Sequence, residues 1–211
     1  MGYQEIKIAS GAYQLFTPTF EEIGATTYDL QNVIPYQNGE KLAIGGLQLQ
    51  VCTTAGTYEN PLAWRADKDG WCSGPKKVTG VDLGQGRAVC VYNNTGADVF
   101  LRVSGEVELE PWSKTISTGS YELIGNMLPC EIDIQNFKPY IGDSPVSVSG
   151  MQLQVCTSSG TYENAIAWRS DKNGWCSGPK LVTLPIVPGQ AVVFLNSTGS
   201  DVKLFIDKKI Q

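Results

Sequence analysis

The chain has 211 residues, of which 42% are hydrophobic and 18% charged, so it is long enough to bury a core as one large domain or two small ones. Its formal net charge is −5, with acidic and basic residues mixed along the chain, which excludes the basic stripe that tracks a nucleic acid backbone. No apolar run approaches the roughly 20 residues that span a bilayer, so we expect neither nucleic acid nor a membrane span.

The N-terminal segment, MGYQEIKIAS, lacks the charged and apolar regions of a signal peptide. Either the protein is cytosolic, or a signal peptide has been removed and Met1 and Gly2 are a remnant. We favour removal and an extracellular or cell-surface location, because the cysteine spacing described below indicates disulfides, which persist in oxidising compartments.

Strand patterns follow one another along the chain. In LQLQV, Leu47, Leu49 and Val51 alternate with glutamines, and the same period of two recurs in DVKLFID, which predicts strands buried on one face. RAVCVY (87–92) and QAVVFL (190–195) are short apolar runs typical of buried strands. Turn sequences rich in glycine, asparagine and proline separate these segments, and only TFEEIG (19–24) suggests a turn of helix.

The chain contains an internal duplication. Residues 47–79 and 151–183 are identical at 25 of 33 positions, at an offset of 104. Weaker similarity continues on both sides, as in NNTGADVFL and NSTGSDVKL. We therefore predict an all-β fold of two tandem antiparallel β-sandwich domains, Ig-like or jelly-roll-like, over residues 1–108 and 109–211.

The strings AWRADKDGWCSGP (63–75) and AWRSDKNGWCSGP (167–179) each contain a turn dipeptide, Asp-Gly or Asn-Gly, that suits a tight hairpin. We expect Trp64 and Trp71 on paired strands on either side of this turn. One cysteine lies just past each hairpin and another ends the preceding strand, pointing to solvent. The sequence thus predicts two disulfides, Cys52–Cys72 and Cys156–Cys176. Each would close a loop and stabilise the fold by roughly 3 kcal/mol.

A metal site is the weaker alternative, because the chain has no histidine and each unit repeats only two cysteines. No metal or cofactor is expected. Cys90 and Cys130 have no cysteine counterparts in the other unit. An interdomain bond between them and two free thiols both remain open.

Catalysis is the least supported function. The absence of histidine removes the usual neutral-pH general base and the Ser-His-Asp and Cys-His arrangements. The carboxylate pair Asp67 and Asp69 becomes Asp171 and Asn173 in the second unit, so it is not common to both. We predict that the chain is not an enzyme. Asn93 and Asn196 begin sequons that we expect at hairpin tips; they are accessible sites if the source glycosylates, and turn residues otherwise.

A duplicated aromatic and polar cluster supplies the candidate ligand-binding residues. One interpretation is a platform on which sugar rings stack; the other is a tryptophan buried between sheets, with the arginine paired to a glutamate. We favour the core for Trp64 and Trp168, and leave both interpretations open for Trp71 and Trp175. The candidate ligand-binding residues are Tyr58, Arg65, Trp71, Tyr162, Arg169 and Trp175.

The order of these segments resembles a known kind of repeat. An opening SGAYQLFTPTF or TGSYELIGN, a central GW hairpin and a closing VPGQAVVFLNSTGSDVKL are similar to uncharacterised tandem β-sandwich repeats of secreted or surface bacterial proteins. The resemblance covers both units and implies architecture and location, but no ligand.

We therefore expect a non-catalytic extracellular module of a cell-surface, filament or adhesin assembly, with other protein subunits as partners and a homo-oligomer or filament as a possible state. The alternative is a carbohydrate-binding module that captures surface glycans through the duplicated tryptophans, tyrosines and arginines.

Overall fold

The computed structural model describes residues 2–25, 27–107 and 112–206. Strands make up 50% of the protein, and no helix of seven or more residues occurs in these ranges, so the predicted all-β class is confirmed. The predicted boundary between residues 108 and 109 lies outside the described residues. We refer below to residues 2–107 as the N-terminal half and to residues 112–206 as the C-terminal half.

The N-terminal half forms two antiparallel sheets. Its strands are β1 (Gly2–Ile8), β2 (Tyr13–Phe16), β3 (Phe20–Glu21), β4 (Ile34–Gln37), β5 (Glu40–Lys41), β6 (Leu47–Gln50), β7 (Leu62–Arg65), β8 (Gly70–Ser73), β9 (Lys76–Lys77), β10 (Val89–Asn93) and β11 (Val99–Val107). One sheet has the order β1-β11-β4-β5, with β3 also paired to β11, and the other has the order β2-β10-β6-β7-β8-β9. Two one-turn 3₁₀ helices, Leu30–Asn32 and Ala66–Lys68, connect strands.

The C-terminal half has the corresponding strand orders. Its strands are β12 (Ser113–Ile116), β13 (Tyr121–Gly125), β14 (Ile132–Asp133), β15 (Phe137–Ile141), β16 (Ser144–Pro145), β17 (Met151–Gln154), β18 (Ile166–Arg169), β19 (Gly174–Ser177), β20 (Lys180–Leu181), β21 (Pro185–Ile186), β22 (Ala191–Asn196) and β23 (Val202–Ile206). The larger sheets have the orders β12-β23-β15-β16 and β13-β22-β17-β18-β19-β20, and β14 pairs with β21. The 3₁₀ helices here are Ile134–Asn136 and Ser170–Lys172.

The predicted alternation places one face of each strand in a core. Leu47 and Leu49 of β6 are fully buried, whereas Gln48 between them is exposed. Val99 and Leu101 of β11, in the other sheet, belong to the same apolar cluster. Each such fully buried side chain contributes about 1.5–3 kcal/mol. The C-terminal half has its own cluster of the same kind, built on both of its larger sheets.

A third apolar cluster contains residues of both halves, and we call it the central contact. It consists of Leu15, Ala88, Cys90, Leu123, Ala191 and Val193, packed against Tyr13, Cys52, Tyr58, Tyr121 and Cys156. The residues come from β2 and β10 on one side and from β13 and β22 on the other, with the loops that follow β6 and β17. In each half, the face of this sheet that points away from the core therefore packs against the same face of the other half.

Backbone hydrogen bonds across the central contact are reciprocal. The Tyr13 N–H donates to the Ser158 carbonyl at 2.9 Å, and the equivalent Tyr121 N–H donates to the equivalent Thr54 carbonyl at 2.8 Å. The bridge Phe16–Gln190 is matched in the same way by Arg87–Ile124. Such an exchange of equivalent contacts is typical of a two-fold interface between like surfaces.

Two glycines make the close approach possible. A Cβ on Gly56 would lie 2.6 Å from the Tyr121 ring, and a Cβ on the equivalent Gly160 would lie 2.8 Å from the Tyr13 ring. Both glycines have φ near +80° (+78° and +82°), which other residues rarely adopt. These positions therefore require glycine for two independent reasons.

Candidate functional site

The duplicated string forms the predicted hairpin. β7 pairs with β8 so that Trp64 lies opposite Trp71, and β18 pairs with β19 so that Trp168 lies opposite Trp175. A 3₁₀ turn and a residue in the left-handed region, Asp69 with φ of 48°, connect β7 to β8. Asp and Asn tolerate this conformation better than most residues, which explains why this position carries Asp69 or its equivalent Asn173.

All four hairpin tryptophans are core residues. Trp71 and Trp175 are fully buried, so neither offers a face to a ligand, and the prediction of ligand binding by these two residues is wrong. In each hairpin the facing rings pack edge to face, with centroids 5.8 Å apart for Trp64 and Trp71. The polar turn beside Trp71 suggested exposure, but the strand that follows the turn directs its ring back between the sheets.

Each buried indole also satisfies a backbone carbonyl. The Trp71 Nε1–H donates to the Val33 carbonyl at 2.8 Å, and the Trp175 Nε1–H donates to the Phe137 carbonyl at 2.8 Å. Buried polar groups need such partners. The tryptophans therefore hold the 33–42 region and its equivalent in place, which is a structural role.

A glutamine that the sequence analysis did not single out clamps each hairpin. The Gln31 side-chain amide donates to the carbonyls of Trp71 (3.0 Å) and Val78 (2.9 Å), and its oxygen accepts from the Trp71 N–H at 3.0 Å. Gln135 makes the same three bonds to Trp175 and Val182. The signal was present in the repeated segments YDLQN and IDIQN.

The two duplicated arginines pair with aspartates of their own turns. Arg65 donates through Nε and Nη2 to the two oxygens of Asp67, both at 2.9 Å, and Arg169 binds Asp171 identically. These hydrogen bonds lower the pKa of both aspartates. The expected pairing with a glutamate is therefore wrong. The guanidinium groups lie at the surface, but their hydrogen-bonding edges are occupied.

The two candidate tyrosines meet each other. The hydroxyl groups of Tyr58 and Tyr162 are in direct hydrogen-bond contact across the central contact. Burial raises the pKa of both, that of Tyr162 to about 12. They occupy equivalent positions, so they lie where the reciprocal halves converge. Because these tyrosines join the halves, little of the Tyr58 side chain is accessible to a ligand.

All six cysteines lie in the described residues, and all are free thiols. The predicted disulfides Cys52–Cys72 and Cys156–Cys176 are therefore not formed. Cys72 pairs with Ala63, which pairs with Gln48, four residues before Cys52. Two strand spacings and four residues separate the two cysteines by roughly 16 Å, whereas a disulfide requires Cα atoms within about 7 Å.

The cysteines instead occupy three different environments. Cys72 and Cys176 are buried in their hairpins, while Cys52 and Cys156 are half-buried in the central contact. Cys90 is also in the central contact, whereas Cys130 packs against the C-terminal core. Cys90 and Cys130 thus belong to different clusters.

The sequon asparagines are buried rather than accessible. The Asn93 side-chain amide donates to the Ile8 and Ala97 carbonyls at 2.9 and 2.8 Å, and Asn196 makes the equivalent bonds. Both asparagines are fully buried. The accessible-site alternative is therefore wrong, because these side chains tie the turn to the neighbouring strand.

The remaining polar residues of the duplicated block line two equivalent surface clefts. Glu59, Asn60 and Ser73 line a cleft of about 680 Å³ in the N-terminal half. The equivalent residues of the C-terminal half, with Tyr162, line one of about 520 Å³. These clefts expose polar groups but hold no tryptophan.

A further cleft lies on the outer face of the C-terminal sheet β12-β23-β15-β16. It has a volume of about 390 Å³ and is lined by Lys138, Tyr140, Gly142, Asp143, Lys203, Phe205 and Ile206. The rings of Tyr140 and Phe205 pack edge to face with centroids 5.3 Å apart, and the Lys203 ammonium lies 4.7 Å from the Phe205 ring. Sequence reasoning missed this surface, although alternate positions on β15 and β23 should face away from the core.

The N-terminal half closes the equivalent surface. Tyr36 occupies the position of Tyr140, but the Arg102 guanidinium lies 3.8 Å from the centre of its ring. Arg102 is held there by Glu5, whose carboxylate accepts from Nε at 2.6 Å. The Tyr36 ring is thus covered by the Arg102 cation of its own half, whereas Tyr140 packs beside Phe205 and lines the C-terminal cleft.

Other classes of site find no support within the described ranges. No group of three or more metal-binding side chains is arranged to hold an ion there. None of the described helices is long and apolar enough to cross a membrane. Comparisons with protein-family models, curated proteins and solved structures find no significant match.

Proposed function

We propose that the chain is a non-catalytic extracellular module, built by internal duplication as two tandem β-sandwich domains, that serves in a cell-surface, filament or adhesin assembly. The observation that carries this proposal is that the duplicated aromatic block is employed in the cores and in the central contact. The repeated residues therefore serve to build a stable double unit rather than a reaction centre.

Equivalent apolar residues at the surface support an assembly role. Ile44, between β5 and β6, and Val148, between β16 and β17, are each 47% exposed. They occupy the same position in the two halves, 104 residues apart. We propose that this repeated exposure marks contact points with another subunit, either a second copy or a neighbouring protein.

Free strand edges give the assembly a second means of contact. β1 is the outermost strand of its sheet and extends over seven residues. Its outer edge receives no backbone hydrogen bond from the residues that the structure describes. An unpaired edge of this length can accept a strand from another chain.

Native mass spectrometry and negative-stain electron microscopy test this proposal. We expect the wild-type protein to form oligomers or filaments, and the double variant Ile44→Ser/Val148→Ser to return to the 22.9 kDa mass of a single chain. Val187→Ser is the matched control, because Val187 is also 47% exposed but is not one of the two equivalent positions. A wild-type protein that stays monomeric at high concentration and turns over a substrate contradicts the proposal.

Glycan binding is the second candidate function, and the outer cleft around Tyr140 and Phe205 favours it. Partly exposed aromatic rings beside Lys203 and Asp143 combine a stacking surface with hydrogen-bonding groups, and a cleft of about 390 Å³ suits one or two sugar rings. This candidate replaces the tryptophan platform expected from the sequence.

A glycan array distinguishes this candidate from the assembly role. Replacing Tyr140 and Phe205 with Ala should abolish any glycan signal of the wild-type protein. Tyr36→Ala should leave the signal unchanged, because Arg102 covers that ring. Absence of any wild-type signal, or equal loss in both variants, eliminates the glycan site.

A further inference from the structure

Three of the six cysteines meet in the central contact, although they come from both halves. Cys90 lies on β10, while Cys52 and Cys156 lie just beyond β6 and β17. All three belong to the same apolar cluster. Thiols from segments far apart in sequence are thus brought together by the contact between the halves.

Cys90 breaks the equivalence of the two halves. It pairs with Leu15 and Gln50, just as Val193 pairs with the equivalent Leu123 and Gln154. Cys90 and Val193 therefore occupy the same place, with a thiol in one half and a methyl group in the other.

Cys156 lies next to the strand pair that carries Cys90. The Ser158 carbonyl, two residues after Cys156, accepts from the Tyr13 N–H of β2, and Leu15 of the same strand pairs with Cys90. The contacts between the halves are reciprocal, so Cys52 is placed next to Val193 in the same way as Cys156 is placed next to Cys90. Cys52 consequently has an apolar residue where Cys156 has a thiol.

We propose that Cys90 and Cys156 form a disulfide bond that joins the two halves across the central contact. Both cysteines lie in the same packed cluster, so closing the bond requires only a small side-chain movement. The bond would tie β10 of the N-terminal half to the loop after β17 of the C-terminal half. Nothing in this proposal depends on the assembly role, because it needs only an oxidant.

The chemistry is an exchange with a small disulfide such as oxidised glutathione. Cys156 is half-buried and its interaction with the Cys90 thiol lowers its pKa, whereas the same interaction, together with burial, raises the pKa of Cys90. The Cys156 thiolate attacks one glutathione sulfur, forms a mixed disulfide and releases one glutathione as its thiolate. Cys90 then loses its proton and attacks the Cys156 sulfur, which releases the second glutathione. Two protein thiols are oxidised and one oxidised glutathione becomes two reduced molecules.

Only one of the two partners is open to the oxidant. Cys90 is 5% exposed, so it is suited to resolve the mixed disulfide rather than to initiate attack. Once formed, the bond is covered on the Cys90 side by the packed cluster. We therefore expect slow reduction by small thiols until the two halves separate.

Peptide mapping tests the proposal. The full chain is equilibrated with oxidised glutathione, free thiols are blocked with N-ethylmaleimide, and the protein is cleaved with trypsin and a glutamate-specific protease. Trypsin releases Cys90 in residues 88–102, and cleavage after Glu131 separates Cys130 from Cys156. We expect a linked peptide whose mass is two hydrogens below the sum of its parts and which disappears on reduction.

Variants within the same cluster provide the controls. Cys52→Ser should keep the link, whereas Cys90→Val, which introduces the residue found at the equivalent position of β22, should abolish it and leave the far-ultraviolet circular dichroism unchanged. Val193→Cys should create a second link, to Cys52.

Three results would overturn the proposal. One is full blocking of Cys90 and Cys156 after equilibration with oxidised glutathione. Another is a link from Cys90 to Cys52 instead. The third is failure of the Val193→Cys protein to join residue 193 to Cys52, because that outcome contradicts the reciprocal geometry.

Discussion

Replacing Trp71 with Ala should destabilise the protein severely, because this residue is part of the core. Trp71 is fully buried, packs edge to face on Trp64 and donates its indole N–H to the Val33 carbonyl. Truncating a buried tryptophan costs about 3–5 kcal/mol, and a carbonyl left without a partner adds about 1–3 kcal/mol. These terms overlap, so we expect a loss of about 5 kcal/mol, a large fraction of the total stability of a small domain.

Urea denaturation followed by circular dichroism measures this loss. Trp71→Phe, which keeps most of the ring but not the donor, should cost less than the Ala variant. Tyr3→Ala is the control, since Tyr3 is 62% exposed and its loss should change stability by no more than about 0.5 kcal/mol. A Trp71→Ala protein that unfolds at the wild-type urea concentration but loses a ligand would contradict the core role of Trp71 and favour ligand binding by this residue.

Three further predictions concern buried polar groups. Gln31→Ala should cost about 2–4 kcal/mol, because it removes the partner of the Trp71 N–H and the side-chain donor to the Val78 carbonyl; urea titration checks this, with Gln135→Ala expected to match it. Asn93→Ala should cost about 2–3 kcal/mol, because it removes the buried side-chain donor to the Ile8 carbonyl and the acceptor of the Thr95 N–H, measured in the same way. Burial raises the pKa of Tyr162 from 10.0 to about 12, so the contribution of its neutral hydroxyl to stability is complete below pH 10 and is lost as the pH rises through 12. Subtracting the ultraviolet titration of the Tyr162→Phe protein from that of the wild type should give a midpoint near pH 12. A midpoint near pH 10 would contradict burial of the hydroxyl.

Local patterns in the sequence predict much of the fold. The alternation in LQLQV and the Asp-Gly turn depend only on neighbouring residues, so the buried face of β6 and the pairing of Trp64 with Trp71 are as predicted. The core role expected for Trp64 and Trp168 is likewise confirmed.

The errors concern contacts between distant segments. The face of the sheet that carries Cys52 looks like a solvent face in the isolated unit, but the other half covers it. The disulfide prediction considered parity and loop length, whereas sheet register separates Cys52 from Cys72 by two strands. Trp71 and Asn93 stand beside polar turns, and only the path of the neighbouring chain shows that both side chains are buried.

Hydroxyl-radical footprinting of the intact protein shows directly whether the duplicated residues build the interior and leave the outer sheet faces for partners. We predict that the four hairpin tryptophans are protected until the protein unfolds, whereas Tyr3, Tyr140 and Phe205 are modified in the folded state. Rapid modification of Trp71 and Trp175 in the folded protein, with protection of Tyr140 and Phe205, would contradict the account.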